Sequence, residues 1–306
     1  MSSVADAPAA GTPRRRARRT LSALLWRAPW LRAVGLLAPP LGWFVLVYLA
    51  ALIVLFVSAF WAVDPFTSDI VHRWNVGNFQ TLWHSSAYRS IAFRTVAIAA
   101  AVTVADAVLA FPFAYYMARI AAPRTRAVLF VLVLLPLWSS YLVRVYAWRQ
   151  ILNHDGVLNW LLEQLGLPAA NLAYTNVAVW LVFTYVWLPF MILPVYAALE
   201  RIPDSTLEAS ADLGARAWTT TRRVVLPLAL PGVIAGSIFT FSLTLGDYIT
   251  PRLVGGASSQ FIGNVVYDSV GVANNVPFAA AFATVPLVIM ALYLIAARRL
   301  GAFEAM

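Results

Sequence analysis

The sequence contains no cysteine and no lysine, and it has few charged residues of any kind. Its 306 residues include 22 basic side chains, all of them arginine, and charged residues make up 11% of the chain. The absence of cysteine excludes disulfides, thiolate metal sites and cysteine nucleophiles. The absence of lysine excludes a Schiff-base lysine and the lysine of a phosphate-binding loop. If the protein uses ATP, hydrolysis must therefore take place on another chain.

The scarcity of charge indicates a membrane protein. Hydrophobic residues make up 61% of the chain, whereas a soluble domain usually carries about 25% charged residues to cover its surface. A net charge of +9 would also suit nucleic acid, but the arginines flank apolar segments. We therefore expect contact with membrane lipid and no nucleic-acid partner.

Six apolar segments are long enough to cross a bilayer, since a spanning helix needs about 20 apolar residues. They lie at about 38–61, 90–117, 127–149, 176–199, 228–249 and 277–297. The sequence predicts an all-α, polytopic membrane protein with six transmembrane helices. Residues 33–63 carry no charge, which is too long a run for a signal peptide and indicates an uncleaved first helix. The membrane domain is predicted over 31–300, after a disordered basic tail over 1–30.

The placement of the arginines predicts the orientation. With a cytoplasmic N-terminus, 16 of the 22 arginines fall in the tail, the inner loops and the C-terminal segment, and six fall in outer loops or outer helix ends. Cytoplasmic loops of membrane proteins carry the excess of basic residues. An even number of spans then places both termini in the cytoplasm.

The most informative segment is the polar loop over 200–226, between the fourth and fifth predicted spans. Ser205 followed by Glu208 predicts a capping box, and Gly214 predicts the C-terminal end of a two-turn helix. A second helix is expected from Ala215 toward Pro227. A continuous helix would place four residues on one face, namely Leu207, Ala211, Ala215 and Trp218. Such a helix can lie on headgroups or dock into a partner, and its periodicity does not choose between them.

This loop resembles the EAA signature of bacterial ABC importer permeases. The signature reads E-A-A, three residues, G, nine residues, I, one residue and L-P, and the loop follows its spacing with Ser210 for the second alanine and Val224 for isoleucine. In that family the loop forms a coupling helix that docks into a separate ATPase subunit. The resemblance implies ATPase-coupling roles for Glu208, Ala209, Ser210, Gly214, Leu226 and Pro227.

Two further segments are similar to the spermidine/putrescine type of these permeases. They are 135–144, in the third predicted span, and 245–256, at the end of the fifth. The resemblance covers roughly 30–300 and implies the type I ABC importer permease fold in a bacterial inner membrane. It also implies ABC ATPase subunits, a second permease subunit, homologous or identical, and an extracytoplasmic solute-binding protein. It implies no cofactor and no catalytic residue. A polyamine is the first expected substrate, and other small organic solutes remain open.

Two carboxylates lie within or at the edge of the predicted spans. Asp106 falls near the middle of the second span, where a charge costs at least ~2.5 kcal/mol unless it faces water, a partner or the bundle interior. It is either a path carboxylate for a cationic solute or a structural hydrogen-bonding group. Asp247 and Tyr248 fall near the outer end of the fifth span. A carboxylate beside an aromatic ring suits an amine, and the alternative is a solvated charge at the interface.

Three other classes of protein fit the sequence less well. An ion-coupled secondary transporter would need buried charge pairs and preferably inverted repeats. A membrane enzyme would need a motif such as His-Glu-x-x-His or Gly-x-Ser-x-Gly, which the sequence lacks. In a structural scaffold the EAA spacing would be a coincidence. The three histidines lie in outer loops without ligand spacing, so no metal site is predicted.

Overall fold

The computed structural model describes residues 29–299, except residues 65 and 258. The predicted basic tail over 1–30 lies almost wholly outside this range, and the single membrane domain over 31–300 stays a prediction. Residues up to Val57 and residues from Ser58 onward form two compact units. The described part of the chain is helical apart from one small sheet, turns and loops.

The described part of the first unit is a long apolar helix, whose last residue, Ser58, already belongs to the second unit. It consists of α1 (Pro29–Trp43), a π-helical segment (Phe44–Leu49) and α2 (Ala50–Ser58). The apolar stretch Ala33–Ser58 has 26 residues, and at 1.5 Å per residue it is about 39 Å long. It is therefore long enough to cross the hydrocarbon core of a bilayer, which is about 30 Å thick.

The second unit begins with a short antiparallel ribbon of two strands and continues as helices. The strands are β1 (Ala62–Val63) and β2 (Ile70–Val71). The helices are α3 (Gly77–His84), α4 (Ser86–Tyr115), α5 (Pro123–Leu134), α6 (Tyr141–Leu152), α7 (Val157–Gln164), α8 (Asn176–Glu200), α9 (Asp204–Asp212), α10 (Ala217–Thr220), α11 (Leu226–Gly246), α12 (Ile262–Gly271) and α13 (Val276–Arg299). Single π-helical turns extend α4 over Tyr116–Ile120 and join α10 to α11 over Thr221–Val225.

Five of the described helical stretches are long and apolar enough to cross a membrane, or six if one bent pair counts as a single span. The five are Ala33–Ser58, Ser86–Ile120, Asn176–Glu200, Ala217–Gly246 and Val276–Arg299. The predicted all-α membrane architecture is confirmed. The fifth span differs in its limits, because its helix begins at Ala217 and ends at Gly246, where 228–249 was predicted.

The third predicted span, over 127–149, is not one straight helix. It consists of Pro123–Trp138 and Tyr141–Gln164, which are bent by 94° relative to each other. Pro136 lacks an amide hydrogen and tightens the end of the first half into a 3₁₀ turn. Ser139 is then extended, with ψ 152°. The apolar run in the sequence is continuous across this bend, so hydropathy alone did not reveal it.

The centre of the second unit is α8, which packs against α4 and α11. Small residues permit the close approach, as is usual between membrane helices. A Cβ atom on Gly232 of α11 would lie 2.5 Å from the carbonyl oxygen of Pro194, and one on Gly236 would lie 2.6 Å from Met191 Sδ. On α4, Ala110 and Ala114 are fully buried. This packing fixes both the loop that follows α8 and the residues at the far end of α11.

Candidate functional site

The loop that resembles the EAA signature ends its helix with a glycine, as predicted. α9 is followed by Gly214 in the left-handed conformation, with φ +75°. The Gly214 amide donates to the Ala211 carbonyl at 2.8 Å, and the Ala215 amide donates to the Ser210 carbonyl at 3.1 Å. These two bonds make a Schellman motif, which only glycine adopts without steric cost.

The beginning of α9 differs from the prediction. The helix begins at Asp204 and its N-cap is Pro203, whose side chain cannot accept a hydrogen bond. The capping box predicted from Ser205 and Glu208 is therefore wrong. The helix carries Asp204 in its first turn instead, where a negative charge complements the helix dipole.

The condition for one shared apolar face is not met, because α9 ends before Gly214 and α10 begins separately at Ala217. Leu207 is half-buried and packs against the core around α8, whereas the Trp218 side chain is 74% exposed. Leu213 is 89% exposed and was not singled out from the sequence. Leu213 follows α9 and Trp218 lies in the first turn of the helix that forms the fifth span, and two large exposed apolar side chains here are typical of a surface that contacts a partner or the membrane.

The six residues assigned to ATPase coupling do not all face outward. Glu208 and Ala209 are exposed. Ser210 is buried, and its hydroxyl lies 2.9 Å from Thr220 Oγ1, which ties α9 to α10. Leu226 and Pro227 are exposed at the start of α11. We give the name loop surface to four exposed residues of α9, of the chain just after it and of α10, namely Glu208, Ala209, Leu213 and Trp218.

At the far end of α11, Asp247 is held by four hydrogen bonds. Its Oδ1 accepts from the amides of Ile249 at 2.6 Å and Thr250 at 3.2 Å. Its Oδ2 accepts from the hydroxyls of Tyr141 and Thr250. The Tyr141 hydroxyl also lies 2.6 Å from Thr250 Oγ1. The carboxylate thus begins the next helical turn and fixes α6 against the end of α11, so it is not a freely solvated charge.

Asp247 also lines a cavity of about 360 Å³, which we call the Asp247 pocket. Its lining residues are Tyr141, Trp187, Ser242, Leu243, Gly246, Asp247, Tyr248 and Ile249. The Tyr141 and Trp187 rings are stacked with centroids 5.6 Å apart, and Tyr248 is stacked on Tyr267 at 4.6 Å. Three aromatic side chains, Tyr141, Trp187 and Tyr248, and one carboxylate therefore line the same cavity.

Two polar groups near this pocket have no hydrogen-bond partner among the described residues. One is the Trp187 indole nitrogen, and the other is the part of the Arg144 guanidinium formed by the buried Nε and Nη1. Arg144 lies one helical turn after Tyr141 on α6, where residues i and i+3 share a face. The surroundings of the pocket thus include a cation as well as the Asp247 carboxylate.

Asp106 is fully buried in α4, and neither of its carboxylate oxygens has a partner in the described part of the chain. It does not line the Asp247 pocket. Thr240 donates to Thr103 at 3.3 Å, which aligns the antiparallel helices α4 and α11. From the level of this contact, Asp106 lies toward one end of the helix pair and Asp247 lies toward the other end. The two acids are therefore about 15 Å apart along the helix axes. The structure therefore does not bring Asp106 and Asp247 together.

Tyr141 and Trp187 were not assigned to the path from the sequence. Tyr141 is 106 residues from Asp247 in the chain, and no periodicity connects them. Tyr141 does lie in the 135–144 segment, which is similar to the spermidine/putrescine type of permease, but that similarity assigned no role to Tyr141. The bend after Trp138 is what turns α6 toward the end of α11.

Comparisons with known proteins find a matching family model and similar relatives. The family model described as "Binding-protein-dependent transport system inner membrane component" matches residues 103–302, a range that holds both the loop surface and Asp247. The chain is 48% identical over 299 residues to the inner membrane ABC transporter permease protein YdcU of Escherichia coli, covering 94% of this chain and 95% of the relative. It is 35% identical over 207 residues to the spermidine/putrescine transport system permease protein PotB of Haemophilus influenzae, covering 67% and 72%.

Solved structures share the fold. A chain of a bacterial alginate ABC transporter, in complex with an alginate pentasaccharide-bound periplasmic protein, superposes with a TM-score of 0.70 at 18% identity, covering 92% of this chain and 96% of that one. A chain of the MetNI methionine ABC transporter in an inward-facing conformation gives a TM-score of 0.53 at 18% identity, covering 72% and 99%. At this identity the likeness concerns the fold alone, which is that of type I importer permeases.

Proposed function

This chain belongs to the family of binding-protein-dependent transport system inner membrane components and is the permease subunit of an ABC importer, and from that premise we propose that its solute is a polyamine or a similar small organic cation. Such a subunit forms a path through the bacterial inner membrane and is not an enzyme. The choice of solute depends on the chemistry of the path.

The Asp247 pocket is the observation that carries the proposal. Asp247 is the one charged residue that lines it among the described residues, and the aromatic rings of Tyr141, Trp187 and Tyr248 form apolar walls. A polyamine is an unbranched chain of methylene groups with ammonium groups. Its ammonium group suits a carboxylate and an aromatic face, and its methylene groups suit aromatic walls. The likeness to relatives named as spermidine/putrescine permeases supports the same class of solute.

The loop surface is the proposed contact with the ATPase. Leu213 and Trp218 are large exposed apolar side chains, and burying them in a partner gains about 25 cal/mol for each Å² removed from water. ATP binding brings two ATPase subunits together, and the loop helix α9 carries that movement into the spans. A second permease subunit completes the path, and a loaded solute-binding protein delivers the solute at the opposite face.

The loop surface then lies in the cytoplasm, and the Asp247 pocket lies toward the outer face. The arginine distribution supports this orientation. Arg119, Arg124, Arg126 and Arg201 all lie at the loop end of the spans. Both termini are cytoplasmic in this arrangement, since the bent pair after Pro123 counts as one span.

The proposal is tested by Asp247→Asn in the assembled importer. Asparagine keeps the size of the side chain and one oxygen for the amides of Ile249 and Thr250, but it removes the charge. Spermidine uptake is expected to fall several-fold, because losing one partly hydrated charge contact costs on the order of 1 kcal/mol. Assembly and basal ATP hydrolysis are expected to stay normal.

Glu163→Gln is the matched control, because it removes an equal charge from an exposed side chain of α7 outside the pocket. The polyamine assignment is overturned if Asp247→Asn transports spermidine at the normal rate. It is also overturned if the importer carries only anionic solutes, which would instead point to the Arg144 guanidinium, whose buried Nε and Nη1 have no hydrogen-bond partner among the described residues. The permease role stands in either case.

A further inference from the structure

Arg119 joins three polar groups at the loop end of the molecule. It lies in the π-helical turn Tyr116–Ile120 that ends the second span. Its Nη1 donates to Asp204 Oδ1 at 2.8 Å, and its Nη2 donates to the carbonyl oxygens of Leu199 and Ile202. The Arg119 side chain is 11% exposed and that of Asp204 is 82% exposed, so the two bonds to carbonyl oxygens are largely shielded from water while the ion pair with Asp204 lies at the surface.

The electrostatics of this position favour a guanidinium. The Leu199 carbonyl belongs to the last turn of α8, whose final carbonyls have no partner within the helix and carry partial negative charge. Asp204 is the first residue of α9. Only residues 201–203 separate the two helices, and Arg119 bonds to groups on both sides of this linker. A guanidinium can do so because its nitrogens point in fixed, different directions.

A second arginine connects the neighbouring elements at the same level. Arg126 on α5 donates from Nη2 to the Ala118 carbonyl at 3.1 Å, and its Nη1 lies 3.8 Å from Glu200 Oε1 on α8. The Tyr196 hydroxyl donates to the same Glu200 oxygen at 3.0 Å. We call Arg119, Arg126, Glu200 and Asp204 the arginine clamp. It joins the ends of three membrane segments to the loop helix.

We propose that Arg119 is a positioning residue that makes α9 and the loop end of α4 move together during transport. This inference rests on the proposed role of the loop as the ATPase contact. A displacement of α9 by the ATPase passes through the Arg119 guanidinium into α4 and α8, and α8 carries Trp187, which lines the Asp247 pocket. The other attachments of α9 include the short linker, the packing of Leu207 against the core and the contact of Ser210 with Thr220.

The first test compares Arg119→Gln with Arg124→Gln in the complete importer in nanodiscs and proteoliposomes. Arg124 is an exposed arginine at the same end of the spans, so its variant controls for the loss of charge. Arg119→Gln is expected to retain the ATPase subunits and basal ATP hydrolysis. The stimulation of hydrolysis by loaded binding protein and the solute transported per ATP are expected to fall about tenfold, since two or three charge-assisted bonds are lost.

The second test measures the distance between spin labels on Ala122→Cys and Ser205→Cys. This chain has no native cysteine, so within it only the two introduced cysteines react with the label. With Arg119 present, the distance is expected to be the same in the nucleotide-free and ATP-bound importer. With Arg119→Gln the distribution of label distances is expected to broaden, and the mean distance is expected to differ between the nucleotide-free and ATP-bound importer. A purely stabilising residue would alter the thermal midpoint and leave this comparison unchanged.

Arg119→Lys replaces Arg119→Gln in the test if the glutamine variant fails to assemble. Lysine keeps the charge but lacks the planar guanidinium whose nitrogens donate in different directions. It is expected to give partial coupling. The proposal is overturned if Arg119→Gln, or Arg119→Lys in its place, transports the normal amount of solute per ATP, or if the label distance in the unsubstituted importer changes with nucleotide. Failure of the wild-type chain to bind an ATPase would instead reject the proposed function itself.

Discussion

At the residue scale, Tyr141 makes two different contacts in the Asp247 pocket, one through its hydroxyl and one through its ring. Its hydroxyl bonds to Asp247, and its ring is stacked on Trp187 in the wall of the pocket. The hydroxyl therefore competes with any solute ammonium group for Asp247 Oδ2. The same bond holds α6 against the end of α11, so one side chain contributes to both the stability and the affinity of the pocket.

Tyr141→Phe separates these two contacts, because it removes the hydroxyl and keeps the stacked ring. The loss of a bond to a carboxylate is expected to lower the free energy of unfolding by about 1.5–3 kcal/mol. The KM for spermidine is expected to fall, since Asp247 Oδ2 becomes free for the solute. Thermal unfolding in detergent and initial rates of uptake measure the two effects.

Tyr146→Phe is the control for this prediction, because Tyr146 lies on the same helix with a side chain that is 45% exposed. It is expected to change neither quantity. A normal melting temperature and a raised KM in Tyr141→Phe would contradict the assignment of Tyr141 as a competitor of the solute.

At the element scale, the loop helix α9 shows which features of the site could be predicted from the sequence and which could not. Gly214 was identified as a helix end from the sequence, because left-handed glycine caps depend on local geometry alone. The capping box was wrong because Asp204, one residue earlier, already starts the helix. The contacts of Asp247 with Tyr141 and of Arg119 with Asp204 connect residues far apart in the chain, so they depend on the tertiary packing and not on any local pattern.

Gly214→Ala is expected to weaken ATPase docking through the geometry of this element. A side chain in the left-handed conformation costs roughly 1–2 kcal/mol, and relief of that strain would turn the loop surface. Gly166→Ala is the matched control, because Gly166 also has a positive φ, +69°, and no atom lies within 4 Å of the Cβ position at either glycine.

Binding of the detergent-purified variants to the ATPase subunit measures this prediction. Both variants are expected to lose similar stability, and only Gly214→Ala is expected to lose affinity for the ATPase. Equal affinities in the two variants would show that the loop surface does not depend on the Schellman motif.

At the scale of the whole molecule, the described residues contain five candidate spans and one bent pair, and their orientation is a separate prediction. Reporter fusions at positions 122 and 214 are expected to be cytoplasmic, and those at 75, 160 and 260 extracytoplasmic, because the arginine-rich loops stay inside. Position 160 lies in α7, beyond the 94° bend. A cytoplasmic signal at 160 would mean that the bent pair does not cross the membrane.

The central claim is that the whole molecule couples ATP hydrolysis on a partner to the import of a polyamine. ATP-driven uptake of labelled spermidine into proteoliposomes tests it most directly, with the chain assembled with its ATPase, second permease and solute-binding protein. Uptake is expected only when ATP, magnesium and binding protein are all present, and an ion gradient alone is expected to drive none. Uptake driven by the gradient without ATP would identify a secondary transporter and contradict the account.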